Sequence, residues 1–366
     1  MVALRGLARS LTGHFGFEPR NGMLLDTDLN MAGYHGDAAA MQKRMVEAMQ
    51  NIPGVASASL LDFMLLNGGI NTDAIFPAGT IDLRAANAAA HAVVYKVSPD
   101  YFRTAGTAIL AGRDLTWHDD GSAPRVAVVN REFARRIFGS MDKAMGGQFK
   151  LGNGWSIRVA GIVEDGKYGN LAEEPRPAMF LPILQSPSTM ATLVVRSTRD
   201  PRRLAPAMRT ALRDLDPGLP CFIETWTEQL SLALFPSRMA TISLGVLGLM
   251  GAILSITGIF GMAAYSVSRR LRELGIRLAL GARRAEILRT ALSRSMKLLA
   301  FGSAAGLILG ILASRILAAI VYHATPRDPL VLAGAILAMA LVGLLAAWIP
   351  ARRALSLDPV TLLREE

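Results

Sequence analysis

Residues 239–267 form a run of 29 without a charged side chain. About 20 apolar residues are enough for a helix to cross the hydrocarbon core of a bilayer. A core helix of a soluble protein carries a polar stripe on its outer face. This run has none, so it reads as a membrane span. Residues 330–350 are a second uncharged run, of 21. Residues 298–314 are a third, followed by Arg315 and then residues 316–322. An arginine near a helix end snorkels to the headgroups; the alternative is a functional charge inside the membrane. The expectation is an all-α membrane domain over 239–366 with three transmembrane helices, at about 239–267, 298–322 and 330–350. A chain in which 51% of residues are hydrophobic suits that reading.

Charge sets the orientation. The formal net charge is +10, and much of it sits in one place. Residues 268–297 hold nine Lys or Arg and only two acids, Glu273 and Glu286. This segment joins the first two spans, so the positive-inside rule places it in the cytoplasm. The next connection, 323–329, holds only Arg327 and Asp328 and falls outside. The tail after Pro350 opens with Arg352 and Arg353 and returns inside. Residues 1–238 therefore lie outside the cytoplasm. A basic excess confined between two spans excludes a soluble nucleic-acid-binding role. The N-terminal stretch MVALRGLARSLTGHFGF lacks the apolar core of a signal peptide. It reads as the polar end of a membrane helix, so a leading span is expected upstream.

The exported half reads as α+β rather than as a doubly wound parallel sheet. Asp37 can cap a helix carrying Met41, Met45 and Met49 on one face. VASASLLDF, AVVYKVSP, RVAVVN, ATLVVRST and PCFIETWT read as strands. SPDYFRTAG and REFARRIFGS read as short helices. QFKLGNGWSIRVAGIVED reads as a hairpin turning at Gly152, Asn153 and Gly154. The stretch 200–218 reads as a helix with Leu204, Met208, Leu212 and Leu215 inward and Gly218 beyond its end. Residues 67–90, rich in Gly, Ala, Asn and Thr, read as a loop or flap.

One stretch invites a nucleotide. GIVEDGKY, residues 161–168, nearly matches the phosphate-binding pattern G-x-x-x-x-G-K-[ST]. Tyr168 stands where a small hydroxyl must reach magnesium. Glu164 and Asp165 would face the phosphates with like charge. The sequence YGNLAEEPRP that follows does not suit a long helix. The stretch reads as a strand and turn. The five histidines show no metal-ligand spacing, and a single cysteine, Cys221, excludes an internal disulfide. Glu173 and Glu174, and likewise Asp119 and Asp120, read as solvated loop acids. No catalytic constellation is expected, and the chain does not read as an enzyme.

The cytoplasmic segment is the most informative. Leu271, Leu274 and Leu278 oppose Arg270, Glu273 and Arg277, and Gly281 breaks the helix. A second amphipathic stretch follows from Ala285. Basic amphipathic helices lie along a membrane surface or dock a partner. In the next span Gly302, Gly306 and Gly310 recur every four residues, a spacing that lets membrane helices approach closely.

RELGIRLALGARRAEILR before an apolar span, YHATPRDPL, and the closing PARRALSLDPVTLLREE together resemble FtsX-like, MacB-type ABC-transporter permeases. In the exported half EPRNGMLLDTDL, IPGVASASL, VSPDYFRTAGTAILAGRDL, VAVVNREFARRIFG and VAGIVEDGKYGNL resemble that family's periplasmic core domain in order and spacing. The likeness is strongest to the second repeat of large duplicated permeases. It implies a four-span repeat with the exported domain after the first span, in a bacterial inner membrane. It implies a separate cytoplasmic ATPase that binds ATP and magnesium, with no cofactor on this chain. It makes Arg272, Glu273, Gly275, Arg277, Gly281 and Ala282 the candidate ATPase-coupling residues. The other partners implied are a second permease subunit or repeat and a periplasmic adaptor. Efflux or mechanotransmission is the expected work. A non-transporting regulatory protein of the same family, or an inactive fragment of a duplicated permease, are the alternatives.

Overall fold

The computed structural model describes residues 15–34, 38–67, 69–171 and 173–268, with 301–302, 304–306, 308–309, 312 and 337. The chain divides into two compact units between Pro236 and Ser237. Residues 10–236 form an α+β domain.

Its strands are β1 (Gly22–Asp28), β2 (Val55–Leu61), β3 (Thr72–Pro77), β4 (Ala90–Val97), β5 (Ile109–Gly112), β6 (Val126–Asn130), β7 (Gln148–Leu151), β8 (Ser156–Val163), β9 (Ala178–Pro182), β10 (Met190–Ser197) and β11 (Phe222–Thr225). They join one sheet in the order β11-β1-β10-β2-β4-β3-β7-β8-β6-β9, with β5 on β8. Strand β9 also pairs with β4 in parallel, Val93 opposite Ala178 through Val97 opposite Pro182. That pairing closes β4, β3, β7, β8, β6 and β9 into a six-stranded ring. A single residue pair, Leu61 opposite Val97, links β2 to β4. The domain is therefore an open four-stranded sheet, β11-β1-β10-β2, joined at one seam to a closed ring.

Alternation explains the open sheet. Met23 and Leu25 of β1 and Leu193 and Val195 of β10 point to one face. That face is covered by α1 (Ala38–Gln50) and by a later helix, Ala205–Leu215. Met41, Met45 and Met49 of α1 are buried against it, as their spacing predicts. Leu204, Met208 and Leu212 are buried from the second helix, with Leu215 packed at the edge. The proposed cap Asp37 lies outside the described residues.

The ring is filled by its own side chains. Phe149 packs edge-on against Phe133 at 5.0 Å between ring centroids, with Ile75, Ala127, Val129 and Ile162 around them. The turn between β7 and β8 forms at Gly152–Gly154 as its sequence predicts. There Asn153 accepts from the Trp155 amide at 3.0 Å and Gly154 takes φ +85°.

Helices α2 (Tyr101–Ala105) and α3 (Arg131–Phe133) are short. REFARRIFGS is not one regular helix, because Ala134–Phe138 continues α3 as a π-turn. Next come α4 (Met141–Ala144), α5 (the Ala205–Leu215 helix above) and α6 (Trp226–Ser268).

Three expectations are corrected. Residues 67–90 are not simply a loop. They contain β3, because Ile75 and Phe76 bury fully in the ring, and a 3₁₀ turn at Ala85–Asn87. Glu173 and Asp119 are not solvated; they are 4% and 5% exposed. The first long helix starts well before residue 239, at Trp226. Thr225 and Glu228 form a reciprocal cap there: the Glu228 amide donates to Thr225 Oγ1 at 3.1 Å and the Thr225 amide to Glu228 Oε2 at 2.9 Å.

Within α6 the window Gly245–Met262 is long and apolar enough to cross a membrane. Val246, Leu247, Leu249, Leu254, Ile256 and Met262, which point to different sides of it, are all exposed. Apolar side chains exposed around a helix suit lipid rather than water. The expected spans at 298–322 and 330–350 lie almost wholly outside the described residues.

Candidate functional site

The six candidate coupling residues, Arg272, Glu273, Gly275, Arg277, Gly281 and Ala282, lie outside the described residues, as does Gly310. Gly302 and Gly306 are described. Both are helical, and a Cβ on either would meet nothing within 4 Å among the described atoms.

The near-match to a phosphate loop is described in full. Strand β8 ends at Val163, and an irregular stretch rather than a helix follows. Backbone amides of the stretch and the Lys167 ammonium are engaged within the chain. Lys167 N donates to the Phe15 carbonyl at 2.8 Å, and Glu164 N to the Ala108 carbonyl at 3.0 Å. The amides of Tyr168 and Gly169 both donate to the Glu173 carboxylate, the second at 3.2 Å. The Lys167 ammonium donates to the Glu173 carbonyl. Arg176 Nε lies 3.5 Å from Glu173 Oε2. A buried carboxylate thus fills the place of the anion. The two acids of the stretch also have local work. Glu164 Oε1 accepts from the Ala108 amide, and Asp165 Oδ1 accepts from the Glu132 amide at the start of α3, each at 2.8 Å. Burial raises the Asp165 carboxyl above its ordinary range. Tyr168, whose bulk argued against magnesium, is buried beside Tyr95 and Phe180.

Asp119 is likewise a structural hub. Arg113 grips it with two bonds, of 2.7 and 2.8 Å, and the Thr116 amide adds a third at 2.8 Å. Arg113 holds its carboxyl below the ordinary range.

A cleft of about 470 Å³, which no local sequence pattern marks, lies at one end of the open sheet. Asp26, Asp28 and Asp62 line it, along with Met31, Met190 and Phe222. Asp26 and Asp28 stand on the sheet face opposite the helices, because Met23 and Leu25 take the other face. Asp26 accepts from Thr192 Oγ1, and Asp62 from the Lys96 amide at 2.9 Å. Burial raises both carboxyls. In the sequence these aspartates are scattered over two segments, and only strand pairing brings them together. Among the described residues no three His, Cys, Asp or Glu converge as metal ligands would.

An α+β domain followed by a helix long and apolar enough to cross a membrane suits a membrane protein with an extramembrane domain. The particular family is settled by comparison. The description "MacB-like periplasmic core domain" matches residues 12–211, and "FtsX-like permease C-terminal" matches residues 245–359. The chain belongs to this family of FtsX-like permeases with a MacB-like periplasmic core domain. Among curated relatives, a "Macrolide export ATP-binding/permease protein MacB" of Hahella chejuensis is 27% identical over 302 residues, 78% of this chain and 44% of the relative. A "Pyoverdine export ATP-binding/permease protein PvdT" of Pseudomonas syringae is 26% identical over 280 residues, 70% of this chain and 40% of the relative. The chain thus spans less than half the length of these relatives. The crystallised periplasmic region of MacB from Actinobacillus actinomycetemcomitans aligns with 61% of this chain and 97% of its own, at TM-score 0.42 and 15% identity.

Proposed function

We propose that this chain is a permease component of an ABC export system in a bacterial inner membrane. Residues 1–238 would lie outside the cytoplasm and residues 239–366 would form the membrane domain. The observation that carries the reading is the order of the two family matches along one chain, core domain at 12–211 and permease at 245–359. Both relatives are named as ATP-binding and permease proteins, yet this chain matches less than half of each. ATP and magnesium are therefore assigned to an ATPase outside residues 1–366, and no catalytic step to this chain.

The basic segment 268–297 is the proposed docking surface. Its arginines offer cations to an acidic partner face. Arg272, Glu273 and Arg277 would make the contact, Gly281 would permit the bend, and Gly275 and Ala282 would keep the surface close. Gly302, Gly306 and Gly310 would pack the second span against a neighbouring helix. A second permease subunit or repeat and a periplasmic adaptor complete the assembly. Motion started by the ATPase would drive export through, or by, the periplasmic core.

The test is a pull-down of the cognate ATPase by the full chain in detergent, set against a Glu273→Arg, Arg277→Glu double variant. Capture by the wild-type chain and its loss in the variant is the expected result. Equal capture by both would remove these residues from the contact. No capture by a folded wild-type chain would overturn the reading.

A further inference from the structure

The cleft at the end of the open sheet has two properties that are costly together. It holds three carboxylates, and among the described residues no Lys, Arg or His side chain forms an ion pair within 4.0 Å of any of them. Lys96, whose charge acts on Asp62 from a distance, donates its ammonium to the Pro187 carbonyl at 3.1 Å rather than to a carboxylate. Beside these acids stand large apolar side chains left in solvent: Met31 is 75% exposed, Phe222 62% and Met190 51%. Each accepts a hydrogen bond, from Thr192, Asn30 or the Lys96 amide, but none has an ion-pair partner among the described residues, and carboxylates so placed in a partly dry surface attract a cation more strongly than solvated ones do. Exposed methionines adapt to varied apolar shapes, and an aromatic face favours a cation. The acids do not converge tightly enough to hold a metal ion. About 470 Å³ falls within the usual size range of small-molecule sites.

We propose that this cleft is a binding site for a small amphiphilic organic cation, its charge set among Asp26, Asp28 and Asp62 and its apolar body against Met31, Met190 and Phe222. The site follows from the geometry of the cleft and stands whether or not the chain works with an ATPase.

The experiment uses the full chain in lipid nanodiscs and two fluorescent probes of opposite charge. Ethidium is the cation, and 1-anilinonaphthalene-8-sulfonate is the anion. Fluorescence anisotropy should show saturable ethidium binding. It should weaken at least tenfold in an Asp26→Asn, Asp28→Asn, Asp62→Asn variant, where each asparagine keeps the hydrogen-bond acceptor. Phe222→Ser, which leaves the charges in place, should weaken it several-fold. Asp28→Asn alone should weaken it measurably and guards against misfolding of the triple variant. The anionic probe should show no binding that these substitutions reduce. Ethidium binding that is non-saturable, unchanged in all three variants, or matched by the anion would overturn the proposal. A lysine-rich peptide that binds here while ethidium does not would also overturn it, in favour of a protein segment.

Discussion

The open sheet and the closed ring are built from the same kinds of residue, yet they handle their edges differently. The ring closes on itself through β4 and β9, so its strands have partners on both sides and its core is sealed. The open sheet buries one face under α1 and α5 and leaves the end of the other face to solvent. The ring therefore has little room to vary, whereas the open sheet can carry a cleft. The difference teaches where to look for binding in this domain: at the uncovered end of the sheet, not in the ring.

The comparison can be broken by substitution. Phe149→Ala inside the ring should have the largest effect, a loss of about 4 kcal/mol, because a closed barrel cannot collapse around the cavity. Chemical denaturation of the full chain in nanodiscs measures it; a loss below about 1 kcal/mol would mean the ring is not a sealed core. Glu173→Ala should cost about 3 kcal/mol by leaving the Tyr168 and Gly169 amides without an acceptor. The same titration checks this, and a neutral result would return Glu173 to solvent. Met45→Ala in the open sheet should cost about 2 kcal/mol, less than Phe149→Ala, since helix α1 can settle onto the sheet. If Met45→Ala proves the costlier of the two, the contrast between the halves fails.

The smallest effect is a pH dependence. The folded Asp119 carboxyl is depressed by Arg113. Its contribution is therefore present above the ordinary carboxylate range, near about pH 4, and is lost as pH falls through the lower folded value. Arg113 is half exposed, so the contribution is only about 1 kcal/mol. Asp119→Asn should lower stability at pH 7 and converge with the wild type in strong acid. A gap that widens on acidification would give the opposite sign and refute the pairing.

Local elements were legible because local spacing encodes them. The methionines of α1 recur at helical spacing, and Gly152–Gly154 marks a tight turn. Strand β3 was hidden because only Ile75 and Phe76 carry its signal within a run of small and polar residues. A capping signal, Thr-Trp-Thr-Glu at 225–228, was present and would have placed the start of α6. Ring closure was not legible, since β4 and β9 pair across about 80 residues with no local mark. Glu173 looked solvated because its partners are backbone amides, which a sequence does not display. The cleft acids come from β1 and the end of β2 and meet only once β10 lies between those strands. The family resemblance was legible because its motifs sit in order along the chain, and the two family matches agree with it.

The topology proposed above puts the core domain outside the cytoplasm and the basic segment inside. Cys221 is the only cysteine, so Cys221→Ser gives a clean background for site-directed labelling. Single cysteines at Gly121 and Ser293 would be treated with a membrane-impermeant maleimide in intact spheroplasts. The account predicts labelling at 121 without permeabilisation and at 293 only after it. Labelling of 293 in intact spheroplasts, or protection of 121, would contradict it.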